Sequence, residues 1–239
     1  MVARQASRGG VGARRSMTAL SASVYAADPF RLAEEIEAVL ANVESLHLDV
    51  MDGVFAPEYG LTARVIRDLS ECTATPLDVH LMVARPKQSV IRFSEMGVRS
   101  IAIHLEAEED FGELSKIVRS NGTKVYAALR HTTAVSMLEE VAELSDGCLF
   151  LTAPAGGGSF DEHAFTRLER RPIGLYTVVD GKIGPDHFRR LDELRVDLAV
   201  MGAALFIDGE PRDRSIAFSQ MLRRSLAASG SNSAAPAGS

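Results

Sequence analysis

The chain has 239 residues, 46% hydrophobic, 6% aromatic and 24% charged, which suits one soluble globular domain and is long enough for a single α/β barrel. Its net charge of −6 gives no electrostatic case for nucleic-acid binding, and no apolar run approaches the roughly 20 residues needed to cross a membrane. The two cysteines, Cys72 and Cys148, form neither a C-x-x-C pair nor a disulfide framework, so a reducing, cytoplasmic setting is expected.

Residues 1–17 carry Arg4, Arg8, Arg14 and Arg15 and no acidic residue. They read as a disordered extension or as translation from a start upstream of Met17. An Arg-rich, acid-poor import peptide is the alternative. From residue 18 to 226, strand-like runs alternate with helical patterns. The strands are expected at 19–24, 45–50, 77–83, 100–105, 124–129, 147–152, 174–179 and 197–202. Apolar spacing near 3.6 marks helical stretches at 29–40, 86–97 and 133–144. Asp28 before Pro29 reads as an N-cap with proline at the first helical position. Gly97 and Gly122 fall where helix C-caps are expected. The small, polar stretch 227–239 reads as a disordered tail.

Strands alternating with helices imply parallel pairing, and eight such units predict a single-domain (β/α)8 TIM barrel. A doubly wound open sheet competes, but no G-x-G-x-x-G follows the first strand. In a barrel, the residues at the C-terminal strand ends line the active site. Alternation along LHLDVMDG places His47, Asp49 and Met51 on one face, with Leu46, Leu48 and Val50 turned to the helical layer. PLDVHLM repeats the arrangement, with Asp78, His80 and Met82 sharing a face. The seventh strand closes on Asp180, followed by Gly181.

His47, Asp49, His80 and Asp180 therefore converge on one rim. Burying two carboxylates and two imidazoles together costs several kcal/mol unless something compensates. One divalent cation removes the conflict, and two nitrogen with two oxygen ligands suit zinc, and also manganese, iron or cobalt. APAGGGSF at 153–160 follows the sixth strand. Its glycines Gly156, Gly157 and Gly158 let backbone N–H groups approach an anion, as do Gly181 and Gly202–Ala203 after the last two strands.

Taken together, LSA at 20–22, HLDVMDGVFAP at 47–57, PLDVHLM at 76–82, VDG at 179–181 and MGAALF at 201–206 resemble, in matching order, the ribulose-phosphate 3-epimerase family. The resemblance implies a metal-dependent isomerase of carbohydrate metabolism and the pentose phosphate pathway. Such an enzyme interconverts ribulose 5-phosphate and xylulose 5-phosphate by two-base proton transfer through an enediolate, with no organic cofactor. By the same resemblance His47, Asp49, His80 and Asp180 match metal ligands, and Asp49 and Asp180 match the acid/base pair. Ser21, His80, Met51 and Met82 match substrate-contacting positions, the two methionines flanking the reacting carbons. The partner implied is a phosphorylated ketose, and the assembly a homo-oligomer.

The phosphate side departs from the family pattern. The usual NPGFGGQ is PAGGGS here, VDGG is VDGK with Lys182, the GS pair is Gly202–Ala203, and NPxTP is RHTTA, with Arg130 and His131. Lys182 and Arg130 supply charge that offsets lost backbone or hydroxyl donors. Two alternatives stay open, the first raised by the altered loops after strands five and six and the second opposed by the intact pair Asp49 and Asp180. One is the same chemistry on another sugar phosphate, such as allulose 6-phosphate or a tetrulose phosphate. The other is a non-catalytic phosphosugar-binding barrel.

Overall fold

The computed structural model describes residues 17–206 and 210–230. The expected extension up to residue 16 and the tail from 231 lie outside them. Eight parallel strands close into a barrel in sequential order: β1 (Ala19–Ser23), β2 (Ser45–Met51), β3 (Leu77–Met82), β4 (Ser100–His104), β5 (Lys124–Leu129), β6 (Gly147–Leu151), β7 (Tyr176–Asp180) and β8 (Leu198–Met201). The helices between them are α1 (Leu32–Val39), α2 (Ala63–Cys72), α3 (Lys87–Ser94), α4 (Phe111–Ser120), α5 (Met137–Val141), α6 (Ala164–Leu168) and α7 (Phe188–Glu193). After β8 come α8 (Ala203–Phe206) and α9 (Pro211–Gly230).

Alternation builds two cores. Leu46, Leu48 and Val50 of β2 join Val39, Ile66, Leu138 and Leu168 in the layer between strands and helices. A second cluster inside the barrel contains Met51, Met82, Tyr126, Leu149, Val178 and Leu198. Both strand faces are buried, as a parallel sheet sheathed by helices requires.

Local chemistry sets several helix ends. Thr62 and Asp110 cap α2 and α4 by accepting the N–H of Val65 and Glu113. Gly97 and Gly122 take positive φ just beyond α3 and α4. Asp28 does not cap α1. Its Oδ1 accepts the Phe30 N–H at 2.9 Å, closing a turn of its own, and the helix begins at Leu32. A side chain two residues from an N–H competes with the helix for that donor, and here the turn wins. The 133–144 pattern yields only the five-residue α5 and a 3-10 turn over Ala142–Leu144. The last helix continues to Gly230, past the 226 boundary expected from composition.

Candidate metal centre and active site

Register brings the side chains together. Asp49 pairs with His80, and Met51 with Met82, across β2 and β3. Asp180 ends β7 beside Leu151 of β6. Because strand residues two apart share a face, His47, Asp49 and His80 project into the barrel mouth. One donor atom from each of His47, Asp49, His80 and Asp180 lies within 4.8 Å of all the others. His47 Nε2 is 3.3 Å from Asp49 Oδ1 and 3.6 Å from Asp180 Oδ2. His80 Nδ1 is 3.2 Å and 3.3 Å from the same two oxygens. The two ring nitrogens are 3.3 Å apart.

These spacings test the fit of a metal. Metal–donor bonds of about 2.0–2.1 Å in a tetrahedron require six donor–donor edges of about 3.3 Å. Five of the six are the distances above, 3.2–3.6 Å, and the sixth, between the carboxylates, is within 4.8 Å. The donor chemistry agrees: two imidazole nitrogens and two carboxylate oxygens suit a divalent first-row ion.

Burial disfavours charge on all four groups, yet their mutual attraction prevails. Burial lowers His47, but Asp49 and Asp180 outweigh it and raise its pKa to about 10. His80 is likewise raised, against burial, by its bonds to Asp180 and Asp49. Asp49 is held below the usual carboxylate range by His47 and His80. Asp180 is also lowered, although burial and the neighbouring Asp49 charge oppose it. These four residues form a group able to hold a metal ion.

Ser21 is not brought to the cluster. It sits lower in the barrel, its hydroxyl 2.8 Å from that of Ser45. Ser23, one layer higher, donates to Asp49 Oδ2 at 2.7 Å. Both serines face inward, so only the β1–β2 register, Ser21 with Ser45 and Ser23 with His47, identifies the one at the mouth. Met51 and Met82 are buried in the lumen at 6% and 3% exposure, with Phe55 in the same cluster.

Two further groups escape a reading of strand motifs. His80 Nε2 lies 2.9 Å from His104 Nε2, and His104 Nδ1 lies 3.1 Å from Glu106 Oε2. Burial pushes His104 down to about 4. Glu106 is held at about 2, against burial, by His104, Thr133 and the Arg130 N–H. The available signal is the histidine that ends β4 in SIAIHLE, followed two residues on by a glutamate.

The glycine loops rim the same mouth. Gly156, Gly157 and Gly158 all have positive φ. A Cβ on Gly181 would stand 2.8 Å from the Ala153 nitrogen, and one on Gly202 2.9 Å from the Ala26 Cβ. The loops after β6 and β7 therefore touch, and the loop after β8 abuts the one after β1. Lys182 is exposed and adopts φ of 57°, a left-handed conformation unusual for a lysine. Ala203 opens α8. Arg130 is engaged elsewhere: its guanidinium lies 3.7 Å from the Phe55 ring centroid and donates to the Phe55 carbonyl at 2.8 Å.

Residues 19–206 match the family model described as ribulose-phosphate 3 epimerase family. A chloroplastic ribulose-5-phosphate-3-epimerase of Arabidopsis thaliana is 29% identical over 199 residues, 78% of this chain and 71% of that one. The ribulose-phosphate 3-epimerase of Mycobacterium leprae is 27% identical over 221 residues, covering 86% and 98%. That of Treponema pallidum is 33% identical over 170 residues, covering 67% and 78%. Among solved structures, KGPDC from Streptococcus mutans superposes with a TM-score of 0.72 at 10% identity, over 87% of this chain and 99% of that one. Likeness at that identity shows the barrel fold alone. Among the described residues no helix is long and apolar enough to cross a membrane.

Proposed function

Because the chain belongs to the ribulose-phosphate 3 epimerase family, we propose that it inverts carbon 3 of a ketose phosphate, with D-ribulose 5-phosphate and D-xylulose 5-phosphate as the pair. The observation that carries this reading is the meeting of buried Asp49, partly buried Asp180 and two buried imidazoles within 4.8 Å at the barrel mouth. A divalent ion held by His47, Asp49, His80 and Asp180 supplies Lewis-acid stabilisation for the negative charge that develops beside the ketone. Zinc suits the donor set, as do iron, manganese and cobalt.

The chain's own residues do the rest. Each carboxylate commits one oxygen to the cluster, Asp49 Oδ1 and Asp180 Oδ2, leaving Asp49 Oδ2 and Asp180 Oδ1 to handle protons. One removes the carbon-3 proton and the other returns one to the opposite face of the planar enediolate. The imidazoles that hold both carboxyls low in the free cluster would be neutral as ligands, and mutual repulsion of the two carboxylates then keeps one of them protonated. Ser23, bonded to Asp49 Oδ2, fixes the plane of that carboxylate. Met51 and Met82 form an apolar wall that limits water. Backbone N–H groups of Gly156–Gly158, Gly181 and Gly202–Ala203, with the Lys182 ammonium, bind the phosphate. A homo-oligomer in the cytoplasm completes the reading, supported by family membership and by two unpaired cysteines.

The altered loops after β5 and β6, RHTTA and PAGGGS, favour a second reading in which the same chemistry serves another ketose phosphate. Proton NMR in D2O with metal-loaded protein tests both, using ribulose 5-phosphate, allulose 6-phosphate and a tetrulose phosphate. Carbon-3 deuteration with epimer formation on the first supports the leading reading. The same result only on another member changes the substrate. Binding without exchange on any member makes the protein a phosphosugar-binding barrel.

A further inference from the structure

We infer that His104 and Glu106 are positioning residues that hold His80 in its metal-ligating tautomer and thereby set the affinity of the site. The inference rests on the metal-centre reading above and concerns a chain of bonds behind it.

Proton placement in that chain follows from the far end inward. Glu106 Oε1 accepts the Arg130 N–H at 2.8 Å and the Thr133 hydroxyl. Its Oε2 faces His104 Nδ1 at 3.1 Å. A carboxylate only accepts, so the proton of that bond belongs to His104 Nδ1, and the lone pair of the neutral ring falls on Nε2. That lone pair meets His80 Nε2 at 2.9 Å, which places the second proton on His80 Nε2. His80 Nδ1 is then left with its lone pair aimed at His47 Nε2, Asp49 Oδ1 and Asp180 Oδ2. Reversing the Glu106–His104 or the His104–His80 assignment would put two donors or two acceptors face to face. The inner lone pair, which faces two carboxylate oxygens, is satisfied by the cation of the metal-centre reading. A carboxylate–histidine chain of this kind orients a ligating ring and raises its basicity.

Packing holds the chain in place. His104 is 2% exposed, with its ring 5.1 Å from that of His80 and 4.7 Å from that of Phe55. His47 contrasts with it: Nδ1 of that ring is buried with no hydrogen-bond partner among the described residues. The chain thus orients one of the two imidazoles through polar contacts and leaves the other to packing.

Glu106→Gln tests this without changing side-chain size. The Arg130 N–H can only donate, so the glutamine must keep its oxygen there and turn its NH2 toward His104 Nδ1. That turn forces His104 into the opposite tautomer. His104→Phe keeps a ring against Phe55 and removes the acceptor for His80 Nε2–H. Zinc affinity is measured by competition with a chromophoric chelator, alongside the melting temperature of the metal-free proteins and imidazole 15N shifts. Both variants are expected to bind zinc about 10–100-fold more weakly with metal-free melting unchanged, and Glu106→Gln to show the altered His104 tautomer. Zinc binding within about twofold of wild type by folded Glu106→Gln overturns the inference while leaving the metal centre intact. Failure of the wild type itself to bind a divalent ion overturns both. If His104→Phe does not fold, Glu106→Gln alone decides.

Discussion

Two carboxylate layers lie one above the other inside this barrel, and they are neutralised differently. In the lower layer Asp78, 4% exposed, receives Arg99 through Nε at 2.9 Å and through Nη2, and also the Ser100 hydroxyl at 2.6 Å. Burial opposes its charge, but Arg99 holds the carboxyl below its ordinary value. In the upper layer the ion pairs of Asp49 and Asp180 run to His47 and His80. Strand β3 contributes to both layers, Asp78 below and His80 above. Where a buried carboxylate is structural, the chain supplies a permanent cation of its own. At the mouth it instead assembles two imidazoles and two carboxylates as a group able to hold a metal ion.

The sharpest way to break this contrast is to neutralise one carboxylate at a time. Asp49→Asn and Asp180→Asn should each lower kcat by about 10³-fold or more, as for loss of a general acid or base, with the far-UV circular dichroism unchanged. Near-wild-type turnover in either would remove that residue from proton transfer. Arg99→Met should do the opposite. It leaves Asp78 buried and unpaired, which costs about 3–5 kcal/mol of stability by urea denaturation, while metal stoichiometry stays at that of the wild type. Loss of metal from a folded Arg99→Met protein would mean that the layers are coupled.

Removing the ion should abolish turnover and cost less stability than losing the arginine. At free metal about 100-fold above Kd the ion contributes about 2.7 kcal/mol, or about 5–10 °C in Tm for a domain of this size. Calorimetry with and without chelator reads this directly, and an unchanged Tm would deny binding to the native state. The smallest effect is expected on the phosphate side. Lys182→Gly relieves a left-handed conformation and should stabilise the fold by about 1 kcal/mol. It should also raise KM several-fold through loss of a charge-assisted contact. An unchanged KM would assign Lys182 to solvent.

Most of the barrel was legible because its strands are short apolar runs buried on both faces. All eight fall within two residues of their expected ends. The four-residue cluster was legible for a related reason: period-two alternation fixes the face, and the motif places each residue near the end of its strand. Depth along the barrel axis was not legible. Ser21 and Ser23 share parity, and only pairing with Ser45 and His47 separates a lower-layer serine from one that reaches Asp49. His104 was missed because a single histidine in an apolar strand is ordinarily structural, and its partner lies 24 residues away. The Asp28 turn shows how a local side-chain bond displaces a helix start that the Asp28–Pro29 capping pattern favours.

The central claim is that Asp49 and Asp180 serve opposite faces of one carbon. It is tested most directly by following carbon-3 proton exchange in D2O, by NMR, for both epimers with each metal-loaded single variant. With one carboxylate disabled, the remaining one can deprotonate only the epimer whose proton it faces. Asp49→Asn should therefore exchange one epimer and Asp180→Asn the other, each without epimerising it. Exchange of the same epimer by both variants, or of both epimers by either one, would contradict the account.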